Sequence, residues 1–317
     1  MHPLRRGGLS AVLLLVVVSL PGTTSAASAP ASPPQLSDRP MPAADGPSEW
    51  LAIRVLLPAP PSVFDDAQVV AFYGHPGIPG MGALGVYSPE RLAEEVTRVA
   101  ALYDALNGDR DVIPALHLIT SIAQPRPGAN GKYLEFISDE KLATYVELAE
   151  EHGLLLILDE QIGWSDPLTD VQRLEWALKK PFVHLALDPE WSTRPYGVAP
   201  GVMIGTLGAP EVNAVQQYLA ELVRRYNLPP KVLVLHQFRS EMLTDTDSYR
   251  AYPEVEISID MDGFGGPWPK LANYDTFALA EYSERPAIKL FYDWDVPLMD
   301  PERIQGLDTP PDLIIYQ

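Results

Sequence analysis

Short, nearly continuous apolar runs alternate along this chain with longer stretches whose apolar residues recur every three or four positions. The first kind reads as buried strands and the second as amphipathic helices. The strand pattern covers Gln68–His75, Asp111–Ser121, Leu154–Gln161, Phe182–Trp191, Lys231–Arg239, Val255–Asp262, Ala287–Asp295 and Asp312–Tyr316. Helices are predicted from the Ser88-Pro89-Glu90 start to Asn107-Gly108, from Ser138 to His152-Gly153, over about Leu168–Lys179, over Ala209–Tyr226 and near Tyr274–Tyr282. Serine caps, prolines in first turns and glycines just past the ends mark their limits. Strands without polar alternation, separated by helices, mean a parallel sheet covered on its outer side. Eight of them in this length predict an α/β fold of the (β/α)₈ type. An open doubly wound sheet is the other topology that the pattern allows.

The pattern departs from an ideal barrel in two places. Ser240–Glu254 is too broken for a full helix between the fifth and sixth strands, and no helix follows the eighth. The apolar, proline-rich segment Trp50–Val63 is expected to cover the exposed outer face or the barrel floor.

The first residues change the picture from a domain to an exported one. Arg5 and Arg6 precede the apolar run Ala11–Leu20 and the small residues Thr24-Ser25-Ala26-Ala27, the layout of a secretory signal peptide cut after Ala26. An uncleaved anchor is the alternative. The run is short for a bilayer span, and no later segment is long enough, so no transmembrane segment is expected in the mature chain. Residues 27–49 are dominated by Ala, Pro and Ser and read as a linker, leaving residues 50–317 as one barrel domain. There are 0 cysteines, which excludes disulfides, thiolate metal sites and a lipid-carrying cysteine. The formal charge of −19 disfavours nucleic acid and anionic lipid as partners. Oligomeric state is not encoded in any recognisable pattern.

Polar residues gather where the strands end. Tyr73 and His75 close the first strand and His117 the second, with Asp159, Glu160 or Gln161 on the third. Asp188 and Glu190 follow on the fourth, and His236 or the Gln237/Arg239 pair on the fifth. Asp260 and Asp262 end the sixth, Asp293 and Asp295 the seventh, and Gln317 the eighth. Barrel enzymes keep their chemistry at this end, and charge in apolar strands is costly unless it faces a wet cavity. If Phe182–Trp191 is one strand, His184, Ala186, Asp188 and Glu190 share a face, and two carboxyls stand side by side. Such a neighbour raises the pKa of its partner, which suits a general acid. Glu190 is then the candidate proton donor, Asp188 its partner, and Asp260, Asp262 or Asp293 the candidate nucleophile or base. Tyr73, Trp164, Trp191, Tyr292 and Trp294 offer flat faces for sugar rings. Binding roles are open to His75, His117, Glu160, His236, Gln237 and Asp262. A structural role for the pair, capping the next loop or bridging to Arg194 or Arg239, is the plain alternative.

The strand end Asp188-x-Glu190 resembles the Asp-x-Glu strand end of the family 18 chitinases and family 25 lysozymes. That resemblance implies a glycoside-hydrolase barrel in which the glutamate donates a proton and the aspartate assists an N-acetyl group or stabilises positive charge. The chain departs from the chitinase pattern at His184 and Ala186, where further aspartates belong. It departs from the lysozyme pattern at Tyr73 and His75, where a first-strand aspartate belongs.

Two other readings stay open. One is a barrel that binds a glycan or a cell-surface partner without turnover. The other is a metal-dependent hydrolase with ligands among His75, His117, His236, Asp159, Asp188 and Asp260. No HExxH or His-x-His spacing supports the metal, so no metal and no other cofactor is assigned. The absence of GxSxG, P-loop and strand-linked GxGxxG motifs disfavours nucleophilic-serine and nucleotide chemistry.

Overall fold

The computed structural model describes residues 60–317. The expected leader, linker and Trp50–Ala59 lie outside the described residues. Eight parallel strands close on themselves: β1 (Ala67–Gly74), β2 (Asp111–Ala123), β3 (Leu155–Glu160), β4 (Val183–Leu187), β5 (Lys231–Gln237), β6 (Val255–Met261), β7 (Arg285–Leu290) and β8 (Leu313–Tyr316). Closure runs through β1, where Val69 is in register with Ile113 of β2 on one side and Leu313 of β8 on the other. This is the TIM-type barrel that the strand count predicts. A short strand, Leu134–Phe136, adds antiparallel to the end of β2.

The main helices are α1 (Pro89–Asp104), α2 (Asp139–His152), α3 (Pro167–Arg173), α4 (Ala209–Tyr226), α5 (Pro267–Asn273) and α6 (Pro301–Gln305). Their ends are set locally. The Ser88 and Ser138 hydroxyls accept from the backbone N–H groups of Arg91 and Lys141, and α2 stops at Gly153, whose φ of 66° few side chains tolerate. Two helices differ from the pattern. The predicted Leu168–Lys179 helix starts at Pro167, capped by the Asp166 side chain, and breaks at Leu174 before the turn Glu175–Leu178. The helix expected near Tyr274 begins at Pro267 instead, because Pro267 occupies a first turn where no N–H is needed; Tyr274–Ala278 continues it as a π turn. As expected, Ser240–Glu254 forms no full helix. It makes two 3₁₀ turns and a two-residue strand, Leu243–Thr244.

The apolar residues divide into two shells. Leu116, Leu156, Leu158, Leu185, Leu187, Leu233, Leu235, Ile259 and Ile288 pack outward against the helices. Val69, Ala71, Ala115, Ile157, Ala186, Val234, Ala287 and Ile315 fill the barrel, with Phe64 in the same cluster. Phe64 belongs to the turn Val63–Asp66 just before β1 and closes the floor; of the segment expected to cover the barrel, Val63 packs partly buried against the same cluster. Arg110 ties this floor together by donating to the carbonyls of Phe64 and Ala67 and to Asp312. Small inward residues at 71, 115, 186 and 287 leave room above them, and the polar layer occupies that room.

Candidate functional site

Strand alternation sends Tyr73, His117, Asp159, His236, Asp260 and Lys289 to the inside of the barrel, next to the apolar layer. His236 is the hub. Its Nδ1 lies 2.9 Å from Asp260 Oδ2 and 3.1 Å from Asp262 Oδ2, and its Nε2 lies 3.3 Å from Asp159 Oδ2. His117 Nε2 is 3.5 Å from that same Asp159 oxygen. The Tyr73 ring packs edge-on against both imidazoles, at 5.0 Å from His117 and 6.0 Å from His236 between centroids. Lys289 Nζ sits 3.5 Å from the centre of the Tyr73 ring and 3.2 Å from Asp262 Oδ2. His117, Asp159, His236 and Asp260 are all fully buried.

Burial alone would favour the neutral form of each group, and the pairings decide the outcome. It would push His236 down, but Asp159, Asp260 and Asp262 outweigh it and hold the imidazole well above its ordinary value. Burial would raise Asp159 and Asp262. The two histidines hold Asp159 low, and Lys289 with His236 holds Asp262 low. For His117 burial prevails over Asp159 and lowers its pKa.

The fourth strand stops at Leu187. Asp188 and Glu190 therefore do not share a strand face: Pro189 has no N–H to continue the ladder, and Pro189–Trp191 turns as a 3₁₀ helix capped by Asp188. Asp188 accepts from the Glu190 backbone N–H at 3.1 Å and from Trp191 Nε1 at 2.7 Å. It thus has the capping role that was the plain alternative, although neither carboxyl pairs with Arg194 or Arg239. The turn still brings Glu190 over the cluster. Burial, then Asp188, then Asp262 raise the Glu190 carboxyl well above the carboxylate range, and burial with Asp159 and Asp262 also raises Asp188. The two N–H bonds favour the charged form of Asp188, and among the described residues no donor is paired with the Glu190 carboxyl. The proton of this pair therefore belongs on Glu190. Glu190 is partly exposed, whereas Asp159, Asp188 and Asp260 beneath it are buried and the Asp262 side chain is 8 % exposed.

Glu190, Asp188, Asp260, Asp262, Tyr73, His117 and His236 thus come together as the strand-end pattern implied. Other candidates do not join them. Glu160 follows inward-facing Asp159 and points to the outer layer, where its Oε1 accepts from the Thr120 hydroxyl at 2.7 Å. Gln237 likewise follows His236 outward and accepts from the Tyr282 hydroxyl. β7 ends at Leu290 because Asp295 Oδ2 accepts the Phe291 N–H and folds the chain back. Asp293 is left exposed on that loop, outside the cluster, and Tyr292 stacks at 5.2 Å on the outward-facing Tyr316. His75 lies past β1; burial and then Lys141 of α2 hold it down at about 4. Trp191 anchors Asp188. Trp294 stacks on Phe291 and neighbours Phe264, and with Trp294 47 % and Phe264 60 % exposed these rings form an open aromatic shelf on the loops after β6 and β7.

Lys289 is the cluster member that is not among the strand-end candidates of the sequence. Its signal is a lysine on the inward alternation of Ala287-Ile288-Lys289-Leu290, one residue before the strand's end. Neither the known protein families nor the curated proteins include a match to this chain. Among the described residues no helix is long and apolar enough to cross a membrane.

Proposed function

We propose that this chain is an exported hydrolase of glycosidic bonds, with Glu190 as the proton donor. The observation that carries the reading is the position of Glu190: a carboxyl with no donor among the described residues, set against anchored Asp188, at the open side of a buried cluster at the C-terminal ends of barrel strands. A protonated carboxylic acid in such surroundings can give its proton to a leaving oxygen. Asp262, which lies close enough to raise Glu190 and is itself held charged by Lys289 and His236, is the partner that stabilises positive charge or attacks, directly or through water. Further support comes from the shelf of Phe264 and Trp294, which presents flat apolar faces suited to sugar rings.

The test is release of reducing ends from a panel of polysaccharides that includes chitin and peptidoglycan. Glu190→Gln keeps the shape and removes the acid, so its turnover is expected to fall by about 10²- to 10⁴-fold. Full activity in that variant, or no turnover of any glycan by the unaltered chain, would overturn the reading. In the second case glycan binding without turnover would favour the non-catalytic barrel.

A further inference from the structure

Below Glu190 the cluster contains polar atoms that hydrogen bonding leaves unexplained. His117 is fully buried, yet among the described residues neither of its ring nitrogens has a hydrogen-bond partner; the same is true of both Asp159 oxygens and of His236 Nε2. Buried groups of this kind are ordinarily satisfied, and leaving several together unpaired is costly. We infer that His117, Asp159 and His236 form a binding site for a divalent transition-metal ion of the zinc class.

Three observations converge on it. The first is spacing. One nitrogen or oxygen from each residue lies within 4.8 Å of the other two, and Asp159 Oδ2 is 3.5 Å from His117 Nε2 and 3.3 Å from His236 Nε2. These gaps are long for a hydrogen bond. They match the edge of a tetrahedron with bonds of about 2.0–2.1 Å, which is about 3.3–3.4 Å. The second is the outer partner. His236 presents its other nitrogen to Asp260 at 2.9 Å, the carboxylate–histidine arrangement that fixes the tautomer and orientation of metal-bound imidazoles. The third is charge. Lys289 balances Asp262, and Asp159 and Asp260 are left facing His236; a dication held by neutral imidazoles balances those two carboxylates and takes the place of the proton that His236 otherwise carries. Two imidazoles and one carboxylate suit zinc-like ions, whereas calcium and magnesium prefer oxygen throughout. Three protein ligands leave a fourth position for water or a substrate oxygen. The site stands independently of the glycosidic reading, because its geometry makes no use of Glu190.

The experiment is metal uptake by the purified full chain after chelation, titrated with Zn²⁺ alone and followed by calorimetry and elemental analysis. One equivalent per chain is expected. His117→Gln and His236→Gln, each checked by circular dichroism, should lose it. Asp260→Asn, which keeps all three ligands, should bind about 10- to 100-fold more weakly. Cobalt(II) added to the unaltered chain provides a readout that needs no variant: visible absorption of a four-coordinate nitrogen and oxygen site is expected. Failure of the unaltered chain to take up stoichiometric metal, undiminished uptake in both folded histidine variants, or a purely six-coordinate cobalt spectrum would each sink the assignment. In the first case the cluster is a proton-sharing ion-pair network only.

Discussion

Asp188 and Glu190 show how two carboxyls two residues apart acquire different states. Both are pushed toward the neutral form by burial, but only Asp188 is given N–H donors, from the Glu190 backbone and the Trp191 indole. The charge thus fixed on Asp188 helps keep the proton on Glu190. Asp188→Asn removes that charge, so the Glu190 pKa should fall. If Glu190 acts as an acid, the alkaline limb of the pH–rate profile should move to lower pH; carboxyl NMR of Glu190 reads the same shift without activity, and an unchanged titration would refute the coupling. Lys289 has the converse role, since its ammonium compensates Asp262 inside the barrel. Lys289→Met removes one of the two cations beside the Asp262 carboxylate, leaving His236, and should cost about 3 kcal/mol in urea unfolding. Strand alternation made part of this legible: it put His117 and Asp260 at strand ends facing the site, but left His236 open against the Gln237/Arg239 pair and Asp159 open against Glu160 or Gln161. The errors arose where alternation was not applied strictly: Glu160 and Gln237 each follow the true inward residue by one and so face the helices.

Elements were legible wherever a local signal sets them. Ser88 and Ser138 cap helices as read, and Gly153 ends one. Strand ends fixed by distant partners were not legible: β7 stops because Asp295 reaches back to the Phe291 N–H, and β4 because Asp188 caps its own turn. The turn Pro189–Trp191 also depends on a segment with no motif of its own. Gly205 donates its N–H to the Glu190 carbonyl, and a Cβ at Gly205 would lie 2.5 Å from the Pro189 carbonyl oxygen and 2.6 Å from the Ser192 backbone. Those neighbours are backbone atoms and cannot move aside cheaply. Gly205→Ala should therefore displace the turn and cost at least about 1–3 kcal/mol. Glycan turnover should fall more than the fraction folded does. An alanine variant with the original melting temperature would show that the turn does not need this close approach.

At the scale of the whole molecule, eight apolar strands predicted the closed barrel, but the pH response of that barrel follows from charges distributed over both of its shells. His184, inside, uses Nδ1 to accept the Val232 N–H, which holds the ring neutral; burial and then Lys231 lower its pKa to about 3 from 6.5. Between those values the unfolded chain binds the additional proton, so stability rises with pH and the histidine opposes folding in acid. Glu160, in the outer layer, is raised by burial to about 7 from 4.5. Between those values the folded chain binds the additional proton. The resulting stability is fully present below about 4.5 and is lost as pH rises through about 7. Each shift is worth a few kcal/mol, and the two oppose each other between 4.5 and 6.5. The melting temperature should therefore climb from strong acid to a broad maximum near pH 4.5–6.5 and decline toward pH 8. Glu160→Gln, which retains an acceptor for Thr120, should lessen the decline by its own share, the remainder belonging to Asp188 and Glu190, which burial also raises, and should leave the acid limb in place; His184→Gln should weaken the acid limb and leave the decline. A melting curve whose limbs respond to neither variant would show that Glu160 and His184 do not set the pH dependence.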